Sequence, residues 1–287
     1  KQPEVAAGHF LLAQVYAAQN NIGRMREALE QTVKLVPNHL TAQVFLARLD
    51  LAEGKDAAFS ARLAALQKNY PGNVQVELLK AQKSSVKKDY DSAIKTLSGL
   101  LVEAPQSDVV IELSRNQWQS GDRQGAISSL ELWSESNRDD RVLLLLAEYY
   151  LLENRPDEAT ATYKVLEQAS PENPRVLNNL AWSLKDSDPG KGVEYARKAD
   201  KLDPDNPLIM DTLAMLLLKT GDKLKALEIA EQAVNKAPNV LDIQFNYADI
   251  LVANDQEKKA RSILEEVLRK ATDKSKQRLI KKHLDNL

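Results

Sequence analysis

The chain has 287 residues, a formal net charge of −2 and no cysteine. That length exceeds a typical compact core, so two domains or a repeat array are expected. The balanced charge offers no general case for nucleic acid or an anionic membrane, and without cysteine there is no thiolate catalysis, disulfide or Cys-ligated zinc.

Glycine is scarce, no stretch alternates apolar and polar residues, and no apolar run reaches the length of a membrane span. The expected class is all-α. Along the chain, prolines close one segment after another at Pro37, Pro71, Pro105, Pro171, Pro204 and Pro238, with gaps of 34, 34, 66, 33 and 34 residues. The long gap holds two segments, with Arg138 where the missing proline would stand. A further step beyond Pro238 reaches Thr272. The spacing predicts eight helix–turn–helix units, at about 6–39, 40–73, 74–106, 107–139, 140–173, 174–206, 207–240 and 241–272, and then a capping helix at 273–287.

The first helix of each unit carries a small residue at a fixed place: Ala13, Ala47, Ala81, Ser114, Ala147, Ala181, Ala214 and Ala248. The turn falls at Asn20, Gly54, Lys88, Gly121, Asn154, Ser187, Gly221 and Asp255. The second helix has Met25, Phe59, Ala93, Ala126, Ala159, Gly192, Ala226 and Ala260 at its own small-residue place. Met25 and Phe59 are large for that place, so looser packing is expected in units 1 and 2. Unit 3 has Lys80, Ser84, Ser85 and Lys88 on or beside its first helix and is expected to be the loosest.

Trp133 falls on the packed side of its helix and is expected in the core. In unit 6, Asp188 suits an N-cap and Pro189 a first helical residue. Unit 7 shows the whole pattern. Leu213, Ala214 and Leu217 recur at helical spacing, Gly221 stops the helix, and Asp222 caps the next. Ala226, Ala230 and Ala233 form a small-residue stripe, and Pro238 ends the unit. The last helix is rich in Lys and Arg, which suits a solvated outer face. Its Leu279, Ile280 and Leu284 are expected to bury against unit 8. No comparable cap precedes unit 1, so its open face is expected to meet further repeats upstream or another copy.

This pattern resembles the tetratricopeptide (TPR) repeat, a helix–turn–helix unit of about 34 residues. The resemblance implies a right-handed superhelical solenoid that binds a protein or peptide with the first helices lining its concave side. Projecting that side gives Gln14, Arg48, Gln82, Arg115, Trp118 and Glu148 in units 1–5. In units 6–8 it gives Asn178, Asn179, Trp182, Asp211, Thr212, Met215, Asn246 and Asp249. Amides, carboxylates and an indole side by side suit hydrogen bonding plus stacking, on a peptide backbone or on a sugar ring. The plain alternative is that Trp182 packs on a neighbouring helix while the polar groups face water; Trp118 fits either role. Some relatives hold a peptide carboxylate with Lys, Asn and Arg. Asn179 sits at one such place, but the basic partners are missing, so that activity is not carried over.

Catalysis is not expected. His9, His39 and His283 lie in different units without ligand spacing, and their expected roles are at the surface. No phosphate loop or nucleophile elbow is present. No cofactor or metal is implied.

The C-terminal third has a more particular likeness. Asn178-Asn179-Leu180-Ala181-Trp182, then Asp205-Asn206-Pro207, then Asp211-Thr212-Leu213-Ala214 are similar to the closing repeats of TPR lipoproteins of the exosortase (PEP-CTERM) system. Ala214 and Met215 replace a Gly-Trp of those proteins. This likeness implies a periplasmic protein, lipid-anchored through an upstream segment, serving exopolysaccharide or protein export. The chain begins with Lys1, as a processed or excised protein would. The other readings are a cytoplasmic adaptor for a peptide or helix, and a module that binds polysaccharide directly through Trp182 and Trp118.

Overall fold

The computed structural model describes residues 2–287, with side chains from Glu4 onward. Among the described residues every regular element is an α-helix. In order these are α1 (Gln2–Ala18), α2 (Ile22–Leu35), α3 (Leu40–Ala52), α4 (Asp56–Asn69), α5 (Val74–Val86), α6 (Tyr90–Glu103), α7 (Ser107–Ser120) and α8 (Arg123–Ser136). They continue with α9 (Asp140–Leu152), α10 (Pro156–Ala169), α11 (Pro174–Ser183), α12 (Pro189–Leu202), α13 (Pro207–Lys219), α14 (Lys223–Lys236), α15 (Leu241–Ala253), α16 (Glu257–Lys270) and α17 (Lys274–Asp285). They form two compact units, residues 1–142 and 143–287. Within each, odd-numbered helices pack on the even-numbered helices beside them in sequence. In the first unit α3, α5 and α7 also touch in succession, and in the second α11, α13 and α15 do the same. In the first unit α3, α5 and α7 therefore form one layer, and in the second α11, α13 and α15 do.

Local chemistry sets the helix ends. The left-handed turn residue falls at Asn20, Gly54, Lys88, Gly121, Asn154, Gly221 and Asp255, seven of the eight expected turn positions. Ser187 is the exception. Unit 6 is a residue shorter, α11 ends at Ser183, and the Asp188 N–H donates instead to Leu184 O at 2.9 Å. Asn21, Asp89, Asp122, Asp188, Asp222 and Asp273 each accept from a backbone N–H three residues on, as N-caps do. Proline is the first residue of α10, α11, α12 and α13, where its missing N–H costs nothing.

The small residues let the helices approach closely. Ala226, Ala230 and Ala233 of α14 are buried. Gly192 marks the tightest approach: a Cβ there would stand 3.0 Å from Ala181 O and 3.1 Å from a Leu216 methyl. Gly192→Leu is therefore expected to destabilise the second unit by about 1–3 kcal/mol through overpacking. Gly192→Ala should stay near neutral, because better helix propensity offsets the tight contact. Urea denaturation of both variants checks this, and a leucine variant as stable as the alanine variant would refute it.

At the large residues of units 1 and 2 the side chains are buried: Phe59 among Val44, Ala47, Leu63, Val76 and Leu79, and Met25 beside Ala28 and Leu29, where a cavity of about 130 Å³ adjoins it. In unit 3 the Ser85 hydroxyl lies 2.6 Å from Asn116 Oδ1 of α7. Other expectations need correction. Trp133 is only half-buried, with its indole N–H enclosed and unpaired. On α17, Ile280 is buried and Leu284 half-buried, but Leu279 is 47% exposed. Adjacent residues lie about 100° apart around a helix, so Leu279 and Ile280 cannot share one narrow stripe. On α1, Leu12 is 46% exposed, whereas Leu46 at the same place in α3 is 1% exposed under α2.

Candidate functional site

In the first unit the projected residues are spread out. Gln14 and Arg48 are exposed and Gln82 is half-buried. Arg115 pairs with Glu112 one turn back at 3.0 Å. Trp118 is half-buried beneath the Arg123 guanidinium, 4.2 Å from the ring centre. The dominant polar feature here is one that sequence reasoning missed. Asp50 of α3 is 1% exposed and binds Arg26 of α2 at 2.8 Å and Arg62 of α4 at 3.1 Å. Arg26 Nη2 also comes within 3.0 Å of Glu53, at ion-pair range but without hydrogen-bond alignment. Arg62 donates onward to Gln43. This knot joins two repeats: Arg26 also donates through Nε to Glu53 at 3.3 Å, while its Nη2 is left without a hydrogen bond.

The second unit brings more of the candidates together. Glu148 of α9 is bound by Arg175 of α11. Asn179 donates to the Tyr163 hydroxyl at 3.3 Å, and burial holds that phenol well above its usual range. Trp182 is half-buried, with the Lys185 ammonium 5.6 Å from its ring centre. Lys185 and Lys219 both reach Asp186, and their hydrogen bonds pull its carboxyl down to about 2.

Asp211 lies on α13 at the place Asn178 holds on α11. Asn246 of α15 donates to Asp211 Oδ2 at 2.8 Å, bridging two repeats. The other oxygen, Oδ1, is enclosed without a partner, as is Asn178 Oδ1. Burial pushes the Asp211 carboxyl up to about 6; the Asn246 bond acts the other way, and the charge of Asp242 adds to the rise. Asp242 itself is bound by Lys276 of α17. Met215 is half-buried against the Leu213, Leu216 and Leu217 cluster. Thr212 is a correction. It is 8% exposed and its hydroxyl donates to Leu208 O at 3.1 Å, so it faces into the helix layers and presents nothing to a ligand.

Asp249, one turn beyond Asn246, is half-buried. Burial raises its carboxyl and the charge of His283 opposes the rise. His283 is the second residue that sequence reasoning misjudged. It is packed edge-on against Phe245 with ring centres 4.8 Å apart, and its Nε2 stands 3.7 Å from Asp249 Oδ1. A cavity of about 320 Å³ opens beside this pair, lined by Asp249, Val252, Ala253, Leu264, His283, Asn286 and Leu287. The helical spacing of Leu284 pointed to α17 docking here, but nothing in the sequence tied residue 283 to residue 249.

Among the described residues no group of three or more His, Asp or Glu side chains could hold a metal, and no helix is long and apolar enough to cross a membrane.

A protein-family model for the tetratricopeptide repeat matches residues 108–273. Among solved structures, the chain is similar to one from the APC/C hetero-tetramer Cut9–Hcn1, at 13% identity and a TM-score of 0.66. That match covers 91% of this chain and 52% of the other, so the chain spans about half its length. It is also similar to a tetratricopeptide repeat protein from Parabacteroides merdae, at 16% identity and a TM-score of 0.62, covering 72% of this chain and 84% of that one. At such identities the likeness is one of fold. A search of curated protein sequences returns no match.

Proposed function

We propose a function from one premise: this chain belongs to the tetratricopeptide-repeat family. Repeats of this family mediate protein–protein interaction. We infer that the chain is a non-enzymatic scaffold whose second unit holds a protein or peptide partner on the layer formed by α11, α13 and α15. Asp211 carries this reading. A carboxylate largely withdrawn from water, with no cation beside it, costs stability. The fold places it where Asn178 stands on α11 and within hydrogen-bond reach of Asn246 on α15. Trp182 and Met215, half-buried on the same helices, add apolar surface of the kind that anchors a partner. Arg115 and Glu148 are given a lesser part, since an ion pair already engages each, and so is Trp118, over whose ring the Arg123 guanidinium stands closer than Lys185 does over that of Trp182.

The setting we propose is a bacterial envelope system of the exosortase type, with the protein periplasmic and lipid-anchored. It is supported by the likeness of Asn178–Trp182 and Asp211–Ala214 to the closing repeats of such proteins. A cytoplasmic adaptor would use the same surface. Direct polysaccharide binding draws support from the half-buried Trp182.

Affinity capture from an envelope extract tests the site, comparing this chain with Trp182→Ala/Asp211→Ala and reading both proteins and sugars. One or more proteins held by the parent and lost by the variant is the expected result. Loss of a captured glycan instead would replace the reading with the polysaccharide one. Identical captures from two folded proteins would overturn the site.

A further inference from the structure

The cavity where α15, α16 and α17 meet has a lining that selects a chemical class. Val252, Ala253, Leu264 and Leu287 make most of its wall, and Asp249 and His283 stand together on it. Its volume of about 320 Å³ is at the small end of ligand pockets.

Asn286 also lines the cavity but is exposed; when the imidazole is neutral, the two groups that face each other, Asp249 and His283, are mismatched. The Nδ1 of His283 lies 3.0 Å from Leu279 O. A carbonyl oxygen only accepts, so Nδ1 carries the hydrogen. In the neutral ring Nε2 is therefore a bare lone pair, and it faces Asp249 Oδ1, another acceptor, at 3.7 Å. Two acceptors at that separation do not satisfy each other. Among the described residues the long contact to His283 is the one polar contact of the Asp249 carboxylate, which burial already disfavours. A group with several N–H donors on one nitrogen, set beside the pair, would satisfy both. If that nitrogen is charged, it also neutralises the carboxylate.

We propose that this pocket is a binding site for a primary ammonium on an aliphatic stem, in practice a lysine side chain of the partner. The stem lies along Val252, Ala253 and Leu287, and the ammonium donates to Asp249 Oδ1 and His283 Nε2. Lysine suits this better than arginine, being a compact point donor on an unbranched chain, whereas guanidinium prefers a flat bidentate acceptor. The cations of α17 do not compete for the place. Lys276 is committed to Asp242, and Lys281 and Lys282 are exposed and do not line the pocket. The proposal deepens the scaffold reading, which supplies the partner, but its test needs no partner.

The probe is pentylammonium, with pentanol as a neutral control of equal length, titrated into the whole chain at pH 7.5. The methyl resonances of Val252 and Leu287 are followed by NMR. Saturable shifts at those methyls with the amine are expected, with a Kd on the order of millimolar for so small a ligand. Pentanol should bind at least about tenfold more weakly. Asp249→Asn should weaken the amine by a similar factor while leaving methyls elsewhere in the second unit in place, and Asp211→Asn should leave amine binding unchanged. Equal binding of pentanol would reduce the pocket to an apolar void. Unchanged amine binding in Asp249→Asn, or shifts scattered over acidic surface without saturation, would overturn the proposal. Failure of partner capture by the Trp182/Asp211 variant bears on the groove alone.

Discussion

Replacing Asp50 with alanine is expected to destabilise the first unit by about 3–5 kcal/mol, the usual cost of removing one partner from a buried ion pair. The carboxylate is 1% exposed and faces guanidiniums from two helices, Arg26 at 2.8 Å and Arg62 at 3.1 Å. Alanine leaves both cations enclosed between α2, α3 and α4 without their shared counter-charge. Glu53 can keep part of Arg26 and Gln43 part of Arg62, which places the effect toward the lower end of that range. Asp50→Asn keeps the shape and one acceptor, so it should cost roughly half as much. Urea denaturation read by Trp118 and Trp133 fluorescence follows this unit, and Trp182 follows the other. A loss below about 1 kcal/mol would mean that the knot behaves like exposed surface pairs and is not a clasp between repeats.

Asp211→Asn is expected to do the opposite and stabilise the second unit at neutral pH. Burial pushes the carboxyl up to about 6 in the folded chain, against about 3.9 unfolded. The folded state thus holds its proton more tightly. The associated stability is fully present below pH ~4 and is lost as pH rises through ~6. Two pKa units correspond to roughly 3 kcal/mol. Asparagine removes that loss while its carbonyl can still accept from Asn246. The variant should therefore gain about 1–3 kcal/mol at pH 7, and its stability should no longer fall between pH 4 and 6. Denaturation midpoints of parent and variant across that window decide the matter. Parallel pH profiles would show that Asp211 is ionised at no cost. A gain in stability accompanied by a loss of partner capture would be the signature of a residue kept for binding.

Most of the local architecture was legible in the sequence because it depends on single residues. A left-handed turn tolerates Gly and Asn, a cap needs Asp or Asn, and a close helix approach needs Ala or Gly. So the turns at Asn20, Gly54, Gly121, Asn154 and Gly221, the caps at Asp188 and Asp222, and the Ala226–Ala233 stripe could be read directly, while the turns at Lys88 and Asp255 came from the repeat period alone. Even the failure at Ser187 follows from the missing residue of unit 6. The site was legible only as a face. Helical projection put Asn178, Asp211 and Asn246 on one side but could not see that Asn246 bonds to Asp211. It put Thr212 beside them, although the hydroxyl turns back to Leu208. Arg26–Asp50 and Asp249–His283 were invisible for the same reason. They join residues 24 and 34 positions apart, and such meetings depend on how the helices cross and which rotamers pack.

The prolines that open α10, α11, α12 and α13 reach beyond the folded chain. Each fixes a φ angle that the unfolded polypeptide would otherwise sample, and so removes disorder from the competing state without adding a contact to the native one. At about 0.4–1 kcal/mol apiece, four of them tilt the balance for the stretch that carries Asn178, Trp182 and Asp211 by roughly 2–4 kcal/mol. That is close to what the buried Asp211 takes away. The price of keeping a charged group out of water is met by restricting what the chain can do when it is not folded at all.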